Sequence, residues 1–361
     1  MSMQYVWIGT YTEPIRFGTG QLFQGKGEGI YLCTFEHGTL RRLSCVQTRN
    51  PSFLCLDQRR RRIYAVNELK RYLGQEGGGC SQFSYDLSGH MRPMHTAATG
   101  GADPCHIAIA PGGSFLAAAN FSGGSLSIIP LDENGELLDQ RIQVFQHHGQ
   151  SVHPQRQCAP HAHSVIFHPS ERWMVVPDLG ADMLAVYRYE ENPLEVRLER
   201  TLPVRAGSGP RSGEFSQDGR HFYLLNELSC DVVHYVVRPG GMEERERLST
   251  LPPDFQGGNI CSDLHMAPDG KHLYASNRGH DSICCFAVNE RSGGLELVER
   301  VPCGGRTPRN FAIDPKGAYL LAGNQDSDSI SVFRIGRGGN LSLLDRVQFP
   351  TPVCIRFSNG A

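Results

Sequence analysis

Short apolar runs alternate with turn residues along this chain, and the alternation keeps a fixed ruler. Ile107-Ala108-Ile109, Val165-Ile166-Phe167 and Phe311-Ala312-Ile313 each run into a Pro-, Asp- or Gly-rich turn, which supplies the backbone angles of a tight reversal. A second apolar run follows, as in Leu116-Ala117-Ala118-Ala119, Phe222-Tyr223-Leu224-Leu225 and Leu273-Tyr274-Ala275-Ser276. A third lies beyond a polar turn (Leu126 to Ile129, Ile283 to Phe286, Ile330 to Phe333), and a fourth carries charge, as in Leu295-Glu296-Leu297-Val298. Four antiparallel strands repeating about every 45–55 residues are the pattern of propeller blades.

The spacing within the unit is constant. Six residues before Pro268 of Pro-Asp-Gly stands Ser262, and nine after it stands Asn277. The same offsets give Cys105 and Asn120 around Pro111, His163 and Asp178 around Pro169, and Arg309 and Asn324 around Pro315. They give Arg211 and Asn226 around Gln217, and Ser52 and Asn67 around Gln58. A seventh unit is split between the termini. Thr351 to Phe357 copies a first strand, and Tyr5 to Thr10, Gly29 to Phe35 and Leu40 to Val46 supply the other three. Pairing them closes a ring and removes the open sheet edges. The expected fold is all-β, one seven-bladed propeller domain over residues 1–361. Neither Trp7 nor Trp173 precedes an Asp, so the WD-repeat type is not indicated. Glu13 to Gly27, Leu69 to Gly79 and Gln146 to Ala159 read as loops inserted between strands.

In an antiparallel hairpin the start of the inner strand and the end of the second lie at the same end. The ruler positions therefore ring one mouth of the central channel. The first holds Ser52, Cys105, His163, Arg211, Ser262 and Arg309; the residue after the Asn or Asp holds Glu68, Phe121, Leu179, Glu227, Arg278 and Gln325. Arginine forks suit a carboxylate or phosphate. Glu227 and His163 are candidates for acid–base chemistry beside Arg211 and Arg278. Glu68, Arg309 and Gln325 are candidate substrate contacts, joined by His106 and His265 on neighbouring inner strands. Plainer roles stay open: Arg211–Glu227 as a hairpin salt bridge, His163 as a hydrogen-bonded structural residue, and Glu68 and Arg309 as rim ion pairs.

Composition narrows the partners. A net charge of -2 gives no electrostatic case for nucleic acid or an anionic membrane. No apolar run reaches the roughly 18 residues of a membrane span. The start lacks a basic segment followed by an apolar core, so a cytoplasmic location is expected. The twelve cysteines include no CxxC pair and mostly sit in strand-like runs, as buried reduced thiols do. His147, His148 and His153 match no zinc spacing, and His161 and His163 lack an identifiable carboxylate partner, so no metal and no cofactor is expected. No Gly-Xaa-Ser-Xaa-Gly elbow marks a serine nucleophile.

Several stretches resemble the seven-bladed propeller lactonase family, known for bacterial 6-phosphogluconolactonase and, in fungi, carboxy-cis,cis-muconate cyclases. They are Gly209-Pro210-Arg211 with Asn226-Glu227-Leu228, Asp263-Leu264-His265 with Pro268-Asp269-Gly270 and Ser276-Asn277-Arg278, Thr307-Pro308-Arg309 with Asp314-Pro315, and His161-Ala162-His163-Ser164. The resemblance runs from the first strand to the last. It implies an active site of His163, Glu227, Arg211 and Arg278, with no metal. Ser212-Gly213-Glu214 and Pro177 depart from the family pattern. The expected activity is hydrolysis of an anionic sugar lactone, 6-phosphogluconolactone first. The alternatives are a muconate-type cycloisomerase or a non-catalytic scaffold, and the residues name no protein partner.

Overall fold

The computed structural model describes residues 3–18, 20–86 and 88–359. Their strands form seven four-stranded antiparallel sheets and two short two-stranded hairpins. Blade 1 is composite: from the axis outward it runs Pro352–Asn359, Gln4–Thr10, Gly29–Glu36 and Thr39–Gln47. The termini thus close the ring in the way the split repeat predicts. Blades 2 to 7 follow in chain order, with inner strands Phe53–Asp57, Pro104–Ile109, Ile166–Phe167, Pro210–Phe215, Ile260–Met266 and Pro308–Ile313.

Each blade buries both faces against its neighbours, and each of the seven interfaces has its own apolar cluster. At the closure, Val6, Ile8 and Tyr31 of blade 1 pack on Tyr319, Leu321 and Ile330 of blade 7. Trp7 packs on Leu54 and Ile63 of blade 2, and its indole N–H donates to Ser358 Oγ at 2.8 Å.

The recurrent Asn of the ruler is structural. Asn67, Asn120, Asn226, Asn277 and Asn324 are fully buried, so their amides must find partners inside the protein. Asn120 Nδ2 donates to Ser125 and Ser127 Oγ at 3.0 and 2.8 Å, and Asn324 Nδ2 to Ser331 Oγ at 2.9 Å, tying the second strand to the third. Asp178 replaces this amide in blade 4. Its Oδ1 accepts backbone N–H groups from His161, Gly180 and Ala181.

Channel-lining side chains latch successive inner strands. Ser164 Oγ donates to Arg211 O (2.9 Å), Met266 N to Glu214 Oε2 (3.0 Å), Phe311 N to Asp263 Oδ2 (3.1 Å) and Ile355 N to Asn310 Oδ1 (2.6 Å). The twelve cysteines are all free, and ten of them are buried or half-buried.

Candidate active site

A bulge explains how the first ruler position reaches the axis. In blade 5, Pro210 pairs with Asn226 and Ser212 with Leu225, so Arg211 has no cross-strand partner. Cys105 in blade 3 and Arg309 in blade 7 are skipped in the same way. In blade 6 the slip between Cys261 and Leu264 frees Ser262 and Asp263. Such bulges re-aim side chains and recur beside active sites. The residue after the Asn or Asp is fixed by a repeated clasp. The N–H groups of Glu68, Phe121, Leu179, Glu227 and Gln325 donate to the carbonyls of Asn50, Asp103, His161, Gly209 and Thr307. Gly209 takes a left-handed φ of 63°, where a Cβ would stand 2.5 Å from Leu228.

His163 arrives differently. Pro177 has no N–H to give the inner strand, and that strand shrinks to Ile166–Phe167, with one isolated bridge at Ala162–Asp178. His163 N still donates to Pro177 O at 3.0 Å. The departure at Pro177 thus sets His163 on irregular backbone at the mouth.

These side chains surround a cavity of about 270 Å³. Glu227 lies at its centre, 1% exposed. Arg156 donates to its Oε1, and Arg211 and Arg278 donate to its Oε2, Arg278 at 3.0 Å. Arg211 also reaches His163 Nε2, and its Nε donates to Ser262 O at 2.6 Å. Burial alone would raise the Glu227 carboxyl, but Arg156, Arg211 and Arg278 hold it well below the usual carboxylate range. Burial and then Arg211 push His163 well below the ordinary imidazole value, leaving it neutral near pH 7. Because Nε2 accepts from Arg211, the ring proton sits on Nδ1, facing Cys105 Sγ at 3.7 Å. Burial and the neighbouring Arg211 lower Arg278 to about 9, still cationic at neutral pH. Three guanidiniums thus share one carboxylate. The excess positive charge suits an anion.

The opposite wall belongs to Arg309, Glu68 and Gln325. Arg309 lies 4.0 Å from Glu68, donates to Gln325 Oε1 at 3.3 Å, and covers the rings of Tyr11 and Phe17 at 5.1 and 5.3 Å. Tyr11 Oη donates to Glu68 Oε2 at 2.8 Å. Burial raises the Glu68 carboxyl, with Arg309 opposing.

Glu68, His163, Arg211, Glu227, Arg278, Arg309 and Gln325 therefore line one cavity. His106 and His265 do not. They face a second cavity of about 280 Å³ at the far end of the channel, with Glu68, Cys105, His163, Arg211 and Arg309 forming the partition. Inner strands descend from the mouth at about 3.3 Å per residue, so His265, three residues past Ser262, lies too deep. It is held between Asp263 and Glu214 at 3.1 and 3.3 Å. His106 packs on Phe53, with ring centroids 4.1 Å apart, and accepts from Val165 N at 3.3 Å. Leu179 is buried and lines neither cavity.

Arg156 and Phe17 escaped the ruler because they sit in insertions outside the repeat, whereas Tyr11 holds the ring position of the split blade 1, its N–H donating to Thr351 O at 3.4 Å. In a four-stranded blade the second-to-third connection and the link to the next blade open at the mouth. Both the Glu13 to Gly27 and the Gln146 to Ala159 insertions are connections of this kind, which was the usable signal. Within the second of these, His147 hydrogen-bonds Asp178 and Tyr187, and His153 accepts from the backbone of Arg156. Among the described residues, no three His, Cys, Asp or Glu side chains group to hold a metal ion.

A family model described as "Lactonase, 7-bladed beta-propeller" matches residues 5–357. A 6-phosphogluconolactonase of Bacillus subtilis (strain 168) is 32% identical over 361 residues, covering 97% of both chains. A 6-phosphogluconolactonase of Formosa agariphila is 34% identical over 318 residues, 85% of this chain and 88% of its own. The structure of a Pseudomonas aeruginosa periplasmic gluconolactonase superposes with a TM-score of 0.90 at 33% identity, covering 100% of both chains. With the match spanning nearly every blade, the chain belongs to the seven-bladed β-propeller lactonase family, a family of lactone-hydrolysing enzymes.

Proposed function

We propose that the protein is a sugar lactonase whose substrate is 6-phosphogluconolactone, opened to 6-phosphogluconate. The supporting observation is the convergence of Arg156, Arg211 and Arg278 on Glu227 beside a neutral His163 in one cavity. Two relatives named for this activity point the same way.

The environments divide the roles. Both oxygens of Glu227 carry guanidinium hydrogen bonds, and its low pKa makes it a weak base, so it positions the arginines. His163 is the base. The substrate carbonyl draws the Arg211 N–H away from Nε2 and frees that lone pair for water. Water oxygen attacks the carbonyl carbon, its proton passes to Nε2, and Arg211 stabilises the oxyanion. Collapse breaks the ring C–O bond, and the leaving alkoxide takes the proton from His163. The acid product then ionises.

The test is direct assay of purified protein on 6-phosphogluconolactone, gluconolactone and a carboxymuconate, each corrected for spontaneous opening. Enzyme-dependent opening of the phosphorylated lactone is expected. Turnover of the carboxymuconate alone makes the protein a cycloisomerase, and turnover of none removes the proposal.

A further inference from the structure

Arg156 is held by an insertion that belongs to no blade. Its loop is pinned on either side of it. His147 Nδ1 lies 2.7 Å from Asp178 Oδ2 and Nε2 lies 2.9 Å from Tyr187 Oη, while Gln157 Nε2 donates to Leu179 O at 2.8 Å. The backbone N–H of Arg156 donates to His153 Nδ1 at 3.2 Å. This framework buries the Arg156 side chain to 7% exposure within the mouth cavity. Merely fastening a loop does not require a buried cation, and burying one is costly without partners.

Its hydrogen bonding is incomplete. The Nε atoms of Arg156 and Arg278 are buried without an acceptor, although both guanidiniums grip Glu227. Buried N–H donors left unpaired cost stability and single out places where a ligand completes the set. With three arginines against one carboxylate, the missing acceptor is an anion. Position along the axis separates this pair from the reacting groups. His163 and Arg211 form part of the partition and line both cavities, whereas Arg156 and Arg278 line only the mouth cavity. Gly18 lies close to Arg156, and a Cβ there would stand 3.2 Å from Arg156 Nε.

Building on the lactonase reading, we propose that Arg156 and Arg278 seat a phosphate monoester of the substrate, outward of a lactone carbonyl held at His163 and Arg211, and that Arg156 is the specificity residue selecting phosphorylated over neutral sugar lactones. The phosphate completes the vacant donor set and offsets the charge that Glu227 leaves over.

The test compares wild type with Arg156→Gln and Arg156→Lys on 6-phosphogluconolactone and gluconolactone. Arg156→Gln is expected to lose about 100-fold in kcat/KM on the phosphorylated lactone, mostly through KM, and at least about tenfold less than that on the neutral one, so that the preference between the two falls at least about tenfold. Arg156→Lys, which keeps charge but not the fork, falls between. Equal losses on both lactones overturn the proposal, because Arg156 would then act only by positioning Glu227; so does an unchanged selectivity. Binding of 6-phosphogluconate and of gluconate, read by calorimetry, keeps the seat testable apart from turnover. If wild type turns over neither lactone the lactonase reading fails. The seat still stands if wild type binds 6-phosphogluconate over gluconate and Arg156→Gln does not, and falls if wild type shows no such preference. Thermal unfolding of both variants establishes that they are folded.

Discussion

Glu227→Gln is the sharpest perturbation of this site. The substitution keeps the shape and removes the carboxylate that Arg156, Arg211 and Arg278 share. Side-chain exposures of 2% for Glu227 and 8% for Arg156 and Arg211 put the cluster among buried ion pairs. Removing one partner from such a pair costs about 3–5 kcal/mol, because the remaining charge stays buried. An unfolding entropy of about 2.1 cal/mol/K per residue, taken over 361 residues, gives about 0.76 kcal/mol/K. The expected fall in Tm is therefore about 4–7 °C. Phosphate should reverse much of it, since the mutant cluster gains net positive charge. At about 100 times its Kd an anion returns about 2.7 kcal/mol, or about 3.6 °C. Thermal unfolding with and without phosphate, at matched ionic strength, measures both effects. Activity should fall at least about 100-fold, because the arginines lose their common anchor. A Tm within about 1 °C of wild type and indifferent to phosphate refutes the reasoning, because the carboxylate would then not be compensating buried cations.

Four further outcomes are expected. His163→Gln should lower kcat by about 10²–10⁴-fold with little change in KM. Because His163 titrates well below its usual range, wild-type kcat/KM should be flat between about pH 6 and 8 and fall in acid, with a separate alkaline fall where Arg278 loses its charge at about 9; an inflection near pH 6.5 contradicts a buried, neutral base. For His265, burial opposes protonation, but Asp263 and Glu214 raise the imidazole from 6.5 to about 10. Its stabilisation is complete below the unfolded value and is lost as pH rises through about 10. His265→Gln should therefore flatten the alkaline limb of the Tm–pH curve and leave kcat/KM within about twofold; a selective loss of activity returns His265 to the site. Thiol titration in denaturant without reductant should find all twelve cysteines, with Cys45 and Cys158 reacting first in the native protein; fewer than twelve contradicts the free-thiol assignment.

The repeat was legible because its constraint is local. In five of the seven blades a buried Asn ends the second strand and must satisfy its amide N–H, as Asn120 does with Ser125 and Ser127, and that need fixes the offset from the turn. The same frame brought Arg211, Glu227, Arg278 and His163 to one mouth although they come from three blades. Depth along the axis was harder to read. His106 directly follows Cys105, yet the bulge turns one toward the mouth and leaves the other in the ladder, below the partition. Arg156 obeys no ruler at all, because an inserted loop takes its shape from tertiary contacts such as His147 with Asp178. Charge in a mouth-side insertion was the available hint, and it does not specify which residue turns inward.

A crystal structure of the protein soaked with 6-phosphogluconate tests the central claim most directly. The account predicts the product in the mouth cavity, with a carboxylate oxygen within about 3.2 Å of Arg211 Nη1 or His163 Nε2 and the far cavity free of product. Product bound in the far cavity beside His265, or on an outer blade surface, contradicts it.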